Sequence, residues 1–514
     1  MSANPRITAL KALSQAPLEQ SLGRWWSGVD SATRNALLAA VVANVLAFGF
    51  EMTNLTLHHD DVSQIFIQDT ILGYYLGRFG LGWLHYYTQN HYFMPFLQMA
   101  EGIALMSAYG VLVARFWGLR RGADIALVAI TLCVFPYMAQ IYQFNTAMAP
   151  YPAAHLLAAC AVVLSVRATL PAVAIAALLY VAAFSIYQSV AANAATIFLF
   201  WWLRQLIDPA ETFSSVKLLR STLAFGAAAI AGGAIYLAAV STMHIPYDAY
   251  QSADDAFHFR EIADTGSALR ELWKGTRSFL FWPEGYFPHY LKTLQLVIIG
   301  VAFGLGFALP KRLAAKAEAV ALLVLALFAP RVLQLLHPEG HFATRTLTSY
   351  AVLIAGAMMM IFTGARVLVR NLSITAAAVL IAGYILQCNW ISTVNYLNTT
   401  AHFMMLDQVL ARLRAVPDAN WDGKTVAVAG SYQMANEYPF KQNEAVASRF
   451  LDAEHMNMLA RLMRDEARFV AVDRTMPRLV EYAATHAPWP APGSVAILDG
   501  KGIVVFSRIS VDSR

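Results

Sequence analysis

The residues able to do chemistry in this chain crowd into a few short runs. "LTLHHDDVSQIF" (55–66) sets His58, His59, Asp60 and Asp61 side by side, and "LGRFG" holds Arg78 between glycines. "FSIYQSV" carries Tyr187 and Gln188, and "APRVLQLLHPEGHFATRTL" carries Arg331, His337, His341 and Arg345. An aspartate with an ordinary pKa near ~4 is ionised at neutral pH and can take a proton from a hydroxyl. Two adjacent carboxylates disfavour each other's ionisation, which can raise one pKa toward a useful value. Arginine forks bind phosphate oxygens bidentately, so Arg78, Arg331 and Arg345 suit a phosphate-bearing ligand if they converge. Adjacent histidines seldom meet on one ion, so no metal or cofactor is expected. A metal completed by His337, His341 or a distant acid stays open; otherwise His59 and His341 are expected beside the substrate. The plain alternatives are a solvated loop end for the aspartates, snorkelling for the arginines, and interhelical hydrogen bonding for Tyr187 and Gln188.

These residues must be positioned by membrane helices. Of 514 residues, 58% are hydrophobic and 13% charged, with a mean hydropathy of +0.49, where a soluble chain carries about 25% charged residues. Apolar blocks long enough to cross a bilayer imply a polytopic α-helical membrane protein with about eleven spans. They are expected at 35–52, 93–114, 123–141, 153–166, 170–187, 190–203, 221–241, 291–309, 318–336, 346–364 and 373–393. With the N-terminus cytoplasmic, every short inner loop is basic: Arg115, Arg120 and Arg121; Arg167; Arg204, Lys217 and Arg220; Lys311, Arg312 and Lys316; Arg366 and Arg370. That asymmetry puts all the chemistry-bearing runs on the outer face. The net charge of +5 needs no nucleic-acid partner. Cys133, Cys160 and Cys388 fall inside spans and read as small apolar filler.

Three parts follow. Residues 1–34 lack a cleavable signal pattern and form an amphipathic N-terminal segment on the cytoplasmic side, with Trp25 and Trp26 at headgroup level. Residues 35–395 form the transmembrane body, with long outer loops at 53–92 and 242–290. The first loop has helical apolar spacing from Ile65 to Trp83, and the second reads as an interfacial lid. Residues 396–514 read as a small soluble α/β domain: an amphipathic helix at "HFMMLDQVLARLRAV", a strand at "KTVAVAG", a helix over 443–467, a strand at "RFVAVD", and a hairpin turning at Asp499 and Gly500. Within the spans, Glu101 is a lone carboxylate that marks a functional or paired site. Tyr142, Gln143 and Asn145 offer hydrogen bonds at a span end.

A carboxylate base, arginines for phosphate and a groove in the membrane fit a transferase whose donor is a sugar on a lipid phosphate. Phosphate leaves readily at neutral pH, so the base need only deprotonate the attacking hydroxyl. The order of a first span, "DDVSQ", "LGRFG", "IYQS" and a later "RTL" resembles the membrane glucosyltransferases that modify O-antigen, the Gtr type, similar in plan to the GT-C class. The resemblance covers about residues 35 to 400. It implies a GT-C-like fold in the bacterial inner membrane, with the C-terminal domain periplasmic. It also implies a polyprenyl-phosphate hexose donor, usually glucose, and a polysaccharide or lipopolysaccharide acceptor. Carried over by position, Asp60 or Asp61 would be the base and Arg78 would lie near the donor phosphate, while Tyr187, Gln188 and Arg345 would line the donor or acceptor groove. A base without a nucleophile predicts inversion, whereas a nucleophilic carboxylate predicts retention. The rivals are a transporter or flippase of lipid-linked glycans, which would need access from both faces, and a non-catalytic component of an envelope-assembly complex.

Overall fold

The computed structural model describes residues 23, 26–58, 61, 77–89, 92–207, 215–243, 265–282, 285–310, 312–335, 343–416, 421, 423–433 and 450–508. Asp30 starts the first helix by accepting the Thr33 backbone N–H at 3.0 Å, and α1 runs Ser31–Thr53. There follow α2 (Phe79–Gln89), α3 (Pro95–Phe116), α4 (Gly122–Cys133), α5 (Tyr137–Tyr142), α6 (Pro150–Ser165), α7 (Leu170–Ile186) and α8 (Val190–Ile207). The second half holds α9 (Ser215–Thr242), α10 (Thr265–Phe281), α11 (His289–Ala308), α12 (Leu313–Phe328), α13 (Ser349–Gly364) and α14 (Val367–Arg414). Pro95 and Pro150 open their helices at positions where a missing N–H costs nothing.

Among the described residues, eight helices are long and apolar enough to cross a membrane, and α4, α6 and α7 are shorter apolar helices among them. The eleven expected spans all fall on helices, but these three are short. One reason is visible in the expected span 123–141: Pro136 cannot continue the ladder of α4, so the chain breaks at 134–136 and restarts as α5. The centre of the bundle is α13, buried along nearly its whole length against α4, α8 and α11. The amphipathic segment expected after the acidic pair is described only from residue 77 onward, where α2 packs on α7.

The last span and the amphipathic helix expected at "HFMMLDQVLARLRAV" are one continuous helix, the 48-residue α14. No proline or glycine follows Gly383 to interrupt it. Past its end, β1 (Thr425–Ala429) pairs in parallel with β4 (Arg468–Ala471) and with β6 (Lys501–Val505), and β5 (Val495–Leu498) pairs antiparallel with β6. The sheet order is β4-β1-β6-β5. The β5–β6 turn is made by Asp499 and Gly500, both with positive φ (53° and 71°), the backbone a two-residue hairpin requires.

The helix expected over 443–467 is shorter. Its first seven residues lie outside the described ones, and Phe450–Leu451 form β3, paired antiparallel with β2 (Tyr432–Gln433). Helix α15 (Ala453–Leu462) starts only after Asp452, whose side chain caps it by accepting from the His455 N–H at 3.0 Å. A last helix, α16 (Pro477–Thr485), covers the other face of the sheet. The larger core of this α/β unit gathers Leu406, Val409, Leu410 and Leu413 of α14 around strand residues and α15, and it also takes in Leu57, from the segment that follows α1.

Candidate active site

The segment after α1 is fixed by backbone and side-chain bonds at each step. Asn54 caps the helix by donating from Nδ2 to the Phe50 carbonyl at 2.7 Å. The Leu57 N–H donates to Thr399 Oγ1 of α14 at 3.2 Å. The chain then turns, the Asp61 N–H donating to the His58 carbonyl (3.0 Å) while Asp61 Oδ2 accepts the His58 N–H (2.8 Å).

Asp61 is wholly buried (0% exposed). Its charge is met by Asn145, whose backbone N–H donates to Oδ1 at 3.1 Å and whose Nδ2 donates to Oδ2 at 2.7 Å. The same Nδ2 also reaches the Thr56 carbonyl at 2.7 Å, so one amide ties the segment in two places. Charge-assisted bonds of this kind replace the water that a buried carboxylate has lost. Asn145 lies in the turn after α5, and that turn lies so close to α3 that a side chain at Gly102 would collide with the Met148 carbonyl.

The neighbouring residue, Phe144, connects the carboxylate to an arginine. The His58 ring lies tilted against Phe144 with centroids 3.9 Å apart, and the Arg345 guanidinium carbon sits 4.7 Å from the Phe144 centroid. Arg345 belongs to a 3-10 turn, Thr344–Leu347, held by Gln140 of α5. Gln140 Oε1 accepts the Arg345 N–H (2.7 Å) and the Thr344 hydroxyl (2.7 Å). Among the described residues no carboxylate pairs with Arg345.

The Arg345 carbonyl accepts the Tyr187 hydroxyl at 2.9 Å, which carries the network to Arg78. Tyr187 stacks on Tyr151 at 4.0 Å between centroids, and the Arg78 guanidinium lies 5.5 Å and 5.8 Å from the two ring centres. Arg78 Nη1 donates to the Tyr151 hydroxyl (2.9 Å) and Nε to Gln188 Oε1 (3.2 Å). Gln188 Nε2 in turn donates to the Tyr236 hydroxyl of α9, which donates to the Gly77 carbonyl. None of these partners of Arg78 is charged; they fix the direction of its fork. Beneath them His155 bonds both the Tyr151 carbonyl and Thr348 Oγ1, and Asn193 donates to the same hydroxyl.

The structure therefore joins Arg345, Tyr187, Gln188 and Arg78 by hydrogen bonds and ring contacts, and brings Asp61 beside Arg345 through Asn145 and the Phe144 ring. Arg331 is on a different branch: its Nε donates to the Tyr350 hydroxyl at 2.9 Å, and its guanidinium covers Gly275 of α10. Tyr350 stacks on Phe279 at 3.6 Å. His59, Asp60 and His341 lie outside the described residues. Glu101, expected as an intramembrane functional or paired carboxylate, is exposed on the flank of α3. Among the described residues, no group of three or more His, Cys, Asp and Glu is placed to hold a metal.

Sequence reasoning did not assign Tyr151, Phe144, Gln140 or Tyr236 to the site, and it read Asn145 only as a hydrogen-bonding span end. "YQFNTAMAPYP" gave the one usable signal, a run of polar and aromatic residues flanked by apolar helices.

No curated protein and no solved structure matches the chain. The family model described as Glucosyl transferase GtrII matches residues 49–362, more than half of the chain, from the end of α1 almost to the end of α13. That stretch contains both ends of the network just described, and the chain belongs to the GtrII glucosyl transferase family and is a glycosyltransferase.

Proposed function

We propose that the protein transfers a glucosyl group from a polyprenyl-phosphate donor to a hydroxyl of an extracytoplasmic glycan, such as the O-antigen of lipopolysaccharide. Transfer proceeds with inversion, and Asp61 of the Asp60–Asp61 pair is the general base. The observation that supports this best is the pairing at residues 144 and 145: Asn145 binds the buried Asp61 carboxylate while Phe144 bears Arg345, which has no carboxylate partner among the described residues. A base and an anion site are thereby held on one rigid turn, at the spacing of two adjacent residues.

In this reading Arg345 and Arg78 meet the donor phosphate and stabilise its charge as the glycosidic bond breaks. Asp61 receives the proton of the attacking hydroxyl on the opposite face of the sugar. The network faces outward in the bacterial inner membrane, the N-terminus is cytoplasmic, and the C-terminal α/β unit is periplasmic. The basic short loops at the far ends of the helices support that orientation.

The test uses purified, reconstituted protein with polyprenyl-phosphate glucose and a lipopolysaccharide acceptor. Asp61→Asn is expected to lower turnover by roughly 10²–10⁴-fold, the usual worth of a general base. Full activity in both Asp60→Asn and Asp61→Asn would remove the base from this pair, and activity with a nucleotide sugar alone would remove the lipid donor.

A further inference from the structure

Helix α10 has three unlike sides, and its sequence sorts them. Ala268, Leu272, Thr276 and Phe279 recur at helical spacing and are buried. Leu269 and Trp273, one step further round, are apolar yet more than half exposed. Arg270, Lys274 and Arg277 make the next stripe and are exposed as well. The one acidic residue of the helix, Glu271, is turned about 100° beyond Arg270.

The buried side is clamped at several points. The Arg331 guanidinium fills the space that a side chain at Gly275 would need. Phe279 stacks on Tyr350 with centroids 3.6 Å apart. Lys292 of α11 donates from Nζ to the Phe279 carbonyl in the last turn of α10, where a cation also meets the negative end of the helix dipole. The same ammonium lies 4.0 Å and 4.5 Å from the Phe279 and Phe287 ring centres. A helix held this way keeps its two exposed stripes pointed in fixed directions.

The neighbouring spans define those directions. Trp273 lies against Phe328, the last residue of α12, with ring centroids 6.2 Å apart, and only residues 282–288 separate α10 from α11. Helix α10 therefore lies across the ends of two helices long and apolar enough to cross a membrane. Tyr286, in the short link to α11, is hydrogen-bonded to Thr344 at 2.8 Å, which puts α10 at the same end of the bundle as Arg345. An apolar stripe beside the end of a span meets the rim of the hydrocarbon, and a basic stripe next to it falls at headgroup level. Three cations at that level, with the acid turned away, complement headgroups of net negative charge.

We infer that α10 is an interfacial anchor that gathers anionic phospholipids in the leaflet on the side of the site. Their phosphates meet Arg270, Lys274 and Arg277, while Leu269 and Trp273 enter the acyl boundary. The inference does not depend on the assignment of Asp61, since no bond is made or broken.

The test uses the full-length protein in phosphatidylcholine vesicles, with Cys160→Ser to remove the partly exposed native thiol and Leu269→Cys carrying an environment-sensitive dye. A trace of nitroxide-bearing lipid with either headgroup is added, and quenching of the dye is read. Quenching by the phosphatidylglycerol form should exceed that by the phosphatidylcholine form about 5-fold or more, since one basic residue at an anionic surface is worth that much. The excess should shrink as salt is raised to about 1 M, where screening acts within about 3 Å. Arg270→Gln, Lys274→Gln and Arg277→Gln together should equalise the two lipids while quenching itself persists, and Arg270→Lys with Arg277→Lys should keep the preference. Equal quenching by the two lipids with the basic stripe intact, or an excess that survives the triple glutamine variant, would overturn the proposal. Absence of quenching by either lipid would do so as well, by turning the stripe toward water or another protein.

Discussion

Asn145 is the smallest unit on which the proposed chemistry depends. Its amide and backbone N–H both bond Asp61, and its Nδ2 also bonds Thr56. Asn145→Leu keeps the branched shape and the backbone N–H but takes the Nδ2 donor from a buried carboxylate and from the Thr56 carbonyl, so turnover should fall by about 10- to 100-fold at saturating substrate, with the donor KM moving little; steady-state kinetics read both. Arg345 makes a contrasting prediction. A lysine keeps the charge but loses the planar fork over Phe144 and the bidentate geometry, so Arg345→Lys should behave nearly like Arg345→Ala, each raising the donor KM and lowering kcat/KM by about two orders of magnitude, roughly 2.7 kcal/mol. Rescue by lysine would argue that only net charge matters there. The acidic pair and the arginines stood out in the sequence because charged residues are rare in so apolar a chain. Asn145 could not be assigned to Asp61 because its partner is 84 residues away.

At the scale of elements, Leu57 is the point where the segment carrying Asp61 enters the hydrophobic core of the α/β unit. Leu57→Ala removes a fully packed side chain, a change that costs about 2–5 kcal/mol where the site cannot collapse. Limited proteolysis should then cut the α/β unit faster, and kcat should fall because Asp61 loses one of its anchors; a normal kcat with a loosened unit would separate the two. A second junction is set by charge. Asp465, next to β4, is partly buried, which alone would raise its carboxyl; the Arg414 fork at 2.8 Å and 3.0 Å and the Ala467 N–H at 2.9 Å outweigh burial and hold it below its ordinary range. A carboxyl depressed in the folded state contributes stability above its unfolded pKa of about 4, and that stability is lost as pH falls through the folded value. Hydrogen exchange at β4 should therefore accelerate below about pH 4, and Arg414→Ala should start less protected at neutral pH and show a flatter acid response. The strands, the Asp499–Gly500 turn and the apolar helices were legible because period and turn chemistry are local. The start of α15 was not, since Asp452 caps a helix inside a stretch whose apolar spacing continues on both sides of it.

For the molecule as a whole, the run of apolar helices could be read from the apolar blocks, but the joining of the two parts could not. "NWISTVNYLNTTAHF" is polar enough to look like the end of a span, but Ser392, Asn395, Asn398, Thr399 and His402 are instead buried along one unbroken α14. At about 1.5 Å per residue that helix is roughly 70 Å long, more than twice the ~30 Å of a bilayer's hydrocarbon core. It presents Thr399 to the segment after α1 and Leu406 to Leu413 to the α/β core, so both must keep the same rotational phase. One residue inserted after Thr400 would turn everything beyond it by about 100°, moving the α/β core away from Leu57 while Thr399 stays in place. Seven inserted residues would bring the phase back to within about 20° but raise the α/β unit by about 10 Å. Activity across an insertion series should then fall at one residue; recovery at seven would mean that α14 transmits orientation, and continued loss would mean that it sets height, making the helix a ruler for how far from the transmembrane body the α/β unit is held.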